Sequence, residues 1–152
     1  MASDDAAGHR VLRTGSEAGT EAAGAELATL LRPGDVVGIQ GDLGSGKTVF
    51  VRGVLRGLGG DASQVHSPTF TLVNLYQASR GPVHHIDLYR LRGASDLEGI
   101  GFQEIVRGDG ITLVEWIDRV PEAVLEETWR VVLARVPGRE VERRVEWFER
   151  TP

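Results

Sequence analysis

The chain has no cysteine among its 152 residues. That removes disulfides, thiolate nucleophiles and cysteine-built metal sites, and it agrees with a reducing, cytoplasmic setting. Lysine is nearly absent too: of 17 basic residues, 16 are arginine and the single lysine is Lys47. Guanine-specific GTPases read their base through an Asn-Lys-x-Asp motif, and with Lys47 inside a glycine-rich stretch none can be written here. No apolar run approaches the roughly 20 residues that a membrane helix needs, and the first ten residues, MASDDAAGHR, lack the apolar core of a secretory signal. Positive charge is in deficit at a formal net charge of -5, so the chain as a whole repels a phosphate backbone and is a poor candidate for gripping nucleic acid alone; any role with RNA works through a partner. The length fits one domain and leaves no room for the helical lid of larger ring-forming ATPases. With 41% hydrophobic and 26% charged residues, that domain is an ordinary globular one.

What the chain does have is glycine in a particular order. Gly41-Asp42-Leu43-Gly44-Ser45-Gly46-Lys47-Thr48 completes the pattern G-x-x-x-x-G-K-[ST], which a shuffled chain of this composition would show with a probability of about 0.002. An apolar run, Val36-Val37-Gly38-Ile39, reads as a buried strand leading into it, and Lys47 to Leu58 carries Phe50, Val51, Val54, Leu55 and Leu58 at helical spacing. A strand, a glycine loop and a helix N-terminus together aim backbone N–H groups at phosphates. Lys47 then reaches the β and γ phosphates of ATP or ADP, and the Thr48 hydroxyl ligates Mg2+. A compact ammonium inside a ring of N–H groups is a place where a planar guanidinium does not fit, which accounts for the one lysine. The other reading of the motif is a structural glycine turn.

A magnesium–nucleotide site needs an acid at the end of a neighbouring strand, and two qualify. Glu115 ends Ile111-Thr112-Leu113-Val114, and Asp87 follows Val83-His84-His85-Ile86; Glu115 has the cleaner lead-in. Ser67-Pro68-Thr69 lies where many nucleotide hydrolases place a switch that senses the γ-phosphate, although the same tripeptide makes an ordinary turn. His66, His84 and His85 have no metal-like set of partners and read as surface or satisfied packing. Trp116, Trp129 and Trp147 read as core. Arg139, Arg143 and Arg144 alternate with Glu140, Glu142 and Glu146, the pattern of a solvated face.

The remaining segments predict an α/β fold: one P-loop NTPase domain over residues 10–150, a mixed central sheet flanked by helices, after a tail at 1–9. A first strand covers Arg10 to Thr14. A helix follows, opened by a Thr14-x-x-Glu17 capping box and lined by Ala23, Leu27, Leu30 and Leu31. Phe70 to Tyr76 and Val83 to Leu88 form a hairpin, Ala94 to Arg107 short helices, and Trp129 to Val136 with Val141 to Phe148 a final hairpin. Val141, Val145 and Phe148 also fit a helix face, so that last segment has two readings.

Four blocks carry a resemblance. Gly-Asp-Leu-Gly-Ser-Gly-Lys-Thr at 41–48, Ser-Pro-Thr-Phe-Thr-Leu-Val at 67–73, His-Ile-Asp-Leu-Tyr-Arg-Leu at 85–91 and Leu-Val-Glu-Trp at 113–116 resemble the TsaE (YjeE) family, the bacterial ATPases of tRNA threonylcarbamoyladenosine synthesis. The resemblance runs from about Thr14 to the C-terminal hairpin. It implies a P-loop ATPase that joins the TsaD and TsaB proteins and cycles their complex as adenosine 37 of certain tRNAs is modified. It implies that Lys47 and Thr48 hold phosphate and magnesium, that Glu115 ligates the metal, that Asp87 sits at the catalytic centre and that Thr69 lies in a switch-like loop. The stretch from Thr14 to Thr20 resembles the segment near the nucleotide base. Two other readings share the loop: a nucleotide-gated assembly factor that does not hydrolyse, and a small-molecule kinase, for which no insertion between 88 and 128 is long enough to make a lid.

The lone lysine yields a first test. Lys47→Arg keeps the charge yet replaces a compact ammonium by a planar fork, so ATP affinity measured by calorimetry should fall by tenfold or more, about 1.4 kcal/mol. Wild-type affinity in that variant would place Lys47 outside the phosphate cradle.

Overall fold

The computed structural model describes residues 8–68, 71–124 and 128–149. Its centre is set by strands that are apolar on both faces. β2 (Val36–Gln40) turns Val37 and Ile39 to one side and Val36 to the other, and β5 (Ile111–Glu115) repeats this with Ile111 and Leu113 against Val114. Strands buried on both faces are the ones that pair in parallel. β2 pairs in parallel with β5 and with β6 (Thr128–Val136), and β5 with β4 (Gly81–Asp87). Both rims reverse direction: β3 (Val73–Ala78) runs antiparallel to β4, β7 (Arg139–Phe148) to β6, and β1 (His9–Thr14) to β7. The result is a mixed seven-stranded sheet ordered β1-β7-β6-β2-β5-β4-β3.

One face carries α1 (Glu17–Ala28) and α2 (Lys47–Gly57), whose Leu27, Phe50, Val54 and Leu55 bury themselves against Val37, Leu113, Val131 and Trp147. Each such side chain contributes about 1.5–3 kcal/mol by leaving water. The other face is covered by α3 (Ala94–Gly99), α4 (Phe102–Val106) and the turns after β5, with Phe102, Ile117 and Val120 packed on Ile86 and Val114. None of the described helices is long and apolar enough to cross a membrane.

Several local expectations need correction. The cap of α1 is Ser16, whose Oγ accepts the Gly19 N–H at 3.0 Å. Thr14 stays in β1 opposite Arg143, and its hydroxyl meets that of Thr20 at 2.8 Å. Leu30 is 49% exposed because α1 stops at Ala28, before another turn could bring Leu30 round to the core. The first hairpin begins later than expected: Leu72 adopts φ 68°, and pairing starts at Val73. Phe70 lies outside the described residues. Residues 1–7, most of the expected tail, also lie outside them, whereas His9 pairs with Phe148 in β1. The last segment is a strand: Val145 and Trp147 are buried while Val141 is 61% exposed at its start. Trp129 and Trp147 are core residues, but Trp116 is only half-buried and borders a cleft.

The crossing of α1 over α2 depends on glycine. A Cβ on Gly53 would come within 1.7 Å of the Glu21 backbone oxygen, and one on Gly24 within 2.2 Å of the Phe50 oxygen. Gly53→Ala should therefore destabilise the fold by about 1–3 kcal/mol of overpacking, outweighing the gain of about 1 kcal/mol in helix propensity. The thermal midpoint should drop by several degrees, at about 2–4 °C per kcal/mol for a chain of this size. An unchanged midpoint would mean that the helices part at no cost.

Candidate functional site

The chain leaves β2 at Gln40 and turns through two left-handed glycines, Gly44 at φ 78° and Gly46 at φ 99°. Gly46 is the N-cap of α2 and brings no side chain to it, so the first N–H groups of the helix stay open to an anion. Gly41, Asp42 and Ser45 shape the loop from behind. The Ser45 N–H donates to the Asp42 carbonyl at 3.0 Å, and a Cβ on Gly41 would meet Ser45 Oγ at 2.4 Å and the Leu133 carbonyl at 2.6 Å. Lys47 folds back under the loop, its Nζ donating to the carbonyls of Gly41 at 2.6 Å and Asp42 at 3.0 Å. The same ammonium lies 3.8 Å from the centroid of the Trp116 ring, a cation–π contact. Burial pulls the Lys47 pKa below the usual lysine value, opposed by the surrounding Glu115, Asp87, Asp118 and Asp42.

Both acids arrive at this loop because of register. Ile39 pairs with Glu115, and Glu115 with Asp87, so β2, β5 and β4 end side by side. The Thr48 hydroxyl donates to Glu115 Oε1 at 3.1 Å and Oε2 at 3.0 Å. Asp87 accepts the Tyr89 N–H on Oδ1 at 2.8 Å and the Ser67 hydroxyl on Oδ2 at 3.1 Å. Burial raises the Asp87 pKa above the usual carboxylate value, and Glu115 adds to that, while the Tyr89 and Ser67 bonds oppose it. Leu43, Gly44, Gly46, Lys47, Thr48, Asp87 and Glu115 all border one cleft of about 510 Å³.

A second cavity, about 270 Å³, lies across the loop and shares Gly44, Gly46 and Val49 with the first. Ser16, Glu17, Thr20, Val141 and Arg143 complete its walls. Thr14 touches it only through its bond to Thr20. Thr69 lies outside the described residues; Ser67, two positions earlier, reaches Asp87.

Four contacts escaped the sequence reading. His85 is satisfied, as expected, but its partner is Glu115, at 2.5 Å from Nε2 to Oε2. Trp116 supplies the ring under Lys47. Arg143 Nη2 and Arg135 Nε both donate to the Gly44 carbonyl, at 3.1 and 3.4 Å. Two-residue counting finds two of these. His85 falls on one face with Val83 and Asp87, and Arg143 falls with Val145 and Trp147, on the side that carries α1 and α2.

The donor set fits a hard divalent ion that is completed by phosphate oxygens. Among the described residues no cluster of three or more His, Asp or Glu could hold a metal by itself. Thr48 Oγ1 and the Glu115 carboxylate already converge in the cleft, and an ion of the magnesium type is bound by one or two protein oxygens plus its nucleotide.

Residues 14–145 match the family model for threonylcarbamoyl adenosine biosynthesis protein TsaE. A Bacillus subtilis (strain 168) protein named tRNA threonylcarbamoyladenosine biosynthesis protein TsaE is 38% identical over 123 residues, 81% of this chain and 76% of that protein. A Rickettsia conorii protein of the same name is 41% identical over 90 residues, 59% of this chain and 51% of that longer relative. The crystal structure of Bacillus subtilis YdiB superimposes at a TM-score of 0.74 with 30% identity, covering 94% of this chain and 86% of YdiB. With the family model spanning most of the sequence and the sheet and helices matching a solved relative, this chain belongs to the TsaE family of tRNA threonylcarbamoyladenosine biosynthesis.

Proposed function

We propose that the chain binds ATP with Mg2+ and hydrolyses it to ADP and phosphate, as the partner-dependent ATPase that cycles the TsaD–TsaB complex during modification of adenosine 37. The observation that carries this reading is the meeting of Lys47, Thr48, Glu115 and Asp87 in one cleft at the carboxyl ends of three adjacent parallel strands, the place where open α/β sheets bind their ligands. Family membership supports the tRNA-modification role. A net charge of -5 disfavours direct contact with the tRNA backbone, which suits action through TsaD and TsaB, and a cytoplasmic setting belongs to the same reading.

In this reading the loop N–H groups and Lys47 hold the β and γ phosphates. Val49 and Val141 offer an apolar wall, and Arg143 a charged one, to the base and ribose in the second cavity, with Thr14 steadying Thr20 beside them. Thr48 and Glu115 hold the metal, which when bound offsets negative charge gathering on the phosphate oxygens. Asp87 orients the attacking water and takes its proton; burial raises its pKa above the usual carboxylate value, which suits that task. Ser67 fixes one Asp87 oxygen and the Tyr89 N–H the other, so the carboxylate meets water in one orientation. Thr69 follows Ser67 in the segment that would close on the γ-phosphate.

The two acids should fail differently. Glu115→Gln removes a metal ligand, so Mg2+-dependent ATP binding should weaken by about tenfold or more, at 1.4 kcal/mol per factor of ten. Asp87→Asn should bind Mg-ATP nearly as the wild type does, yet lose about 10²–10⁴ of the phosphate release measured with TsaB and TsaD, the usual reach of a general base. Wild-type turnover in Asp87→Asn would remove Asp87 from the catalytic group, and reversed phenotypes would exchange the two assignments.

A further inference from the structure

His85 is fully buried on β4, two residues before Asp87 and on the same face. Both of its ring nitrogens are engaged. A carboxylate only accepts, so Nε2–H points at Glu115 Oε2, 2.5 Å away, and Nδ1 meets the Tyr76 hydroxyl at 2.9 Å. From Tyr76 the bonds continue outward. Asn74 Nδ2 donates to Tyr76 Oη at 3.3 Å and to the His66 carbonyl at 3.2 Å, and Thr71 Oγ1 donates to Asn74 Oδ1 at 2.8 Å. The chain therefore begins at the proposed metal carboxylate and ends in the segment whose Ser67 holds Asp87.

We infer that His85 is a positioning residue: it fixes the Glu115 carboxylate for the metal and, through Tyr76 and Asn74, ties that carboxylate to the segment around His66. This rests on the function proposed above. Glu115 is 2% exposed, and a buried carboxylate needs donors to hold it in one rotamer. Oε2 takes both Thr48 and His85, while among the described residues Oε1 takes Thr48 alone, which leaves Oε1 lone-pair capacity for a cation. The same segment reaches Asp87 directly through Ser67, and Glu115 through three side chains, Asn74, Tyr76 and His85.

The test uses the full chain and Mg-ATP, with thermal stabilisation by ATP followed as Mg2+ is varied, and ATP affinity without metal measured alongside. His85→Leu should raise the Mg2+ concentration for half-maximal effect by about tenfold or more, the usual loss when a group supporting a metal ligand is removed, with metal-free ATP affinity unchanged. His85→Gln, whose amide N–H reaches the same oxygen, should recover most of that loss, a rescue that a packing role would not give. Tyr76→Phe deletes only the hydroxyl, so it should still fold, and it should shift the Mg2+ requirement the same way by about two- to tenfold, the worth of one hydrogen bond. A wild-type Mg2+ requirement in Tyr76→Phe, or in a folded His85→Leu, overturns the inference while leaving the proposed function intact. If the wild type itself shows no Mg2+-dependent stabilisation by ATP, the proposed function falls and takes the inference with it.

Discussion

Glu115 stands between Ile39 and Asp87 in the parallel register of β2, β5 and β4, and the site depends on that pairing. Neighbouring strands lie about 4.8 Å apart, so the loop that leaves β2, Glu115 and Asp87 fall within about 10 Å along one edge of the sheet. A slip of one residue in β5 would turn Glu115 into the cluster of Val114 and Ile117 on the opposite face. That slip is resisted by the fully buried run Ile111–Glu115, which has Ile111 and Leu113 committed to one core and Val114 to the other. Hydrophobic packing thus sets where the charges end up.

The α1–α2 pair then brings the loop down onto that edge. Gly53 and Gly24 let the two backbones approach closely, and Ser16 and Thr20 of the α1 region become a wall of the cavity behind the loop. From the opposite rim, Arg143 and Arg135 donate to the Gly44 carbonyl. The loop is therefore braced from the edge strands as well as from its own helix, and its glycines keep the left-handed turns that no branched side chain would accept.

What could be read without coordinates followed from short range and from period. The loop, its strand and helix, and both acids were legible because each sits in one contiguous run with its own pattern. The buried partners were not. His85 reads correctly as a satisfied histidine, but that its partner is Glu115 follows only from the pairing of β4 with β5. Arg143 alternates with glutamates and so reads as a solvated face, yet it shares a side with Val145 and Trp147, and that side carries the loop. Trp116 looks like core because it follows a buried strand; at φ 59° the chain bends there and lays its ring under Lys47. Ser16 displaced Thr14 as the cap because Thr14 remained in a strand whose partner lies more than a hundred residues away.

Charge explains why such a site would need a divalent cation. One lysine faces Glu115, Asp87, Asp118 and Asp42, so acids outnumber the cation around the cleft before any triphosphate enters. Without a cation the carboxylates oppose the nucleotide. Under the proposed function a metal held by Thr48 and Glu115 reverses the sign of that interaction at the one acid that lies nearest the loop hydroxyl. Asp87 is eased in another way, because the Tyr89 N–H and the Ser67 hydroxyl each donate to one of its oxygens. Under the same proposal the acids would favour the metal-bound nucleotide over the free one, and the hydrogen bonds from His85 and Ser67 hold the two carboxylates, each in one orientation.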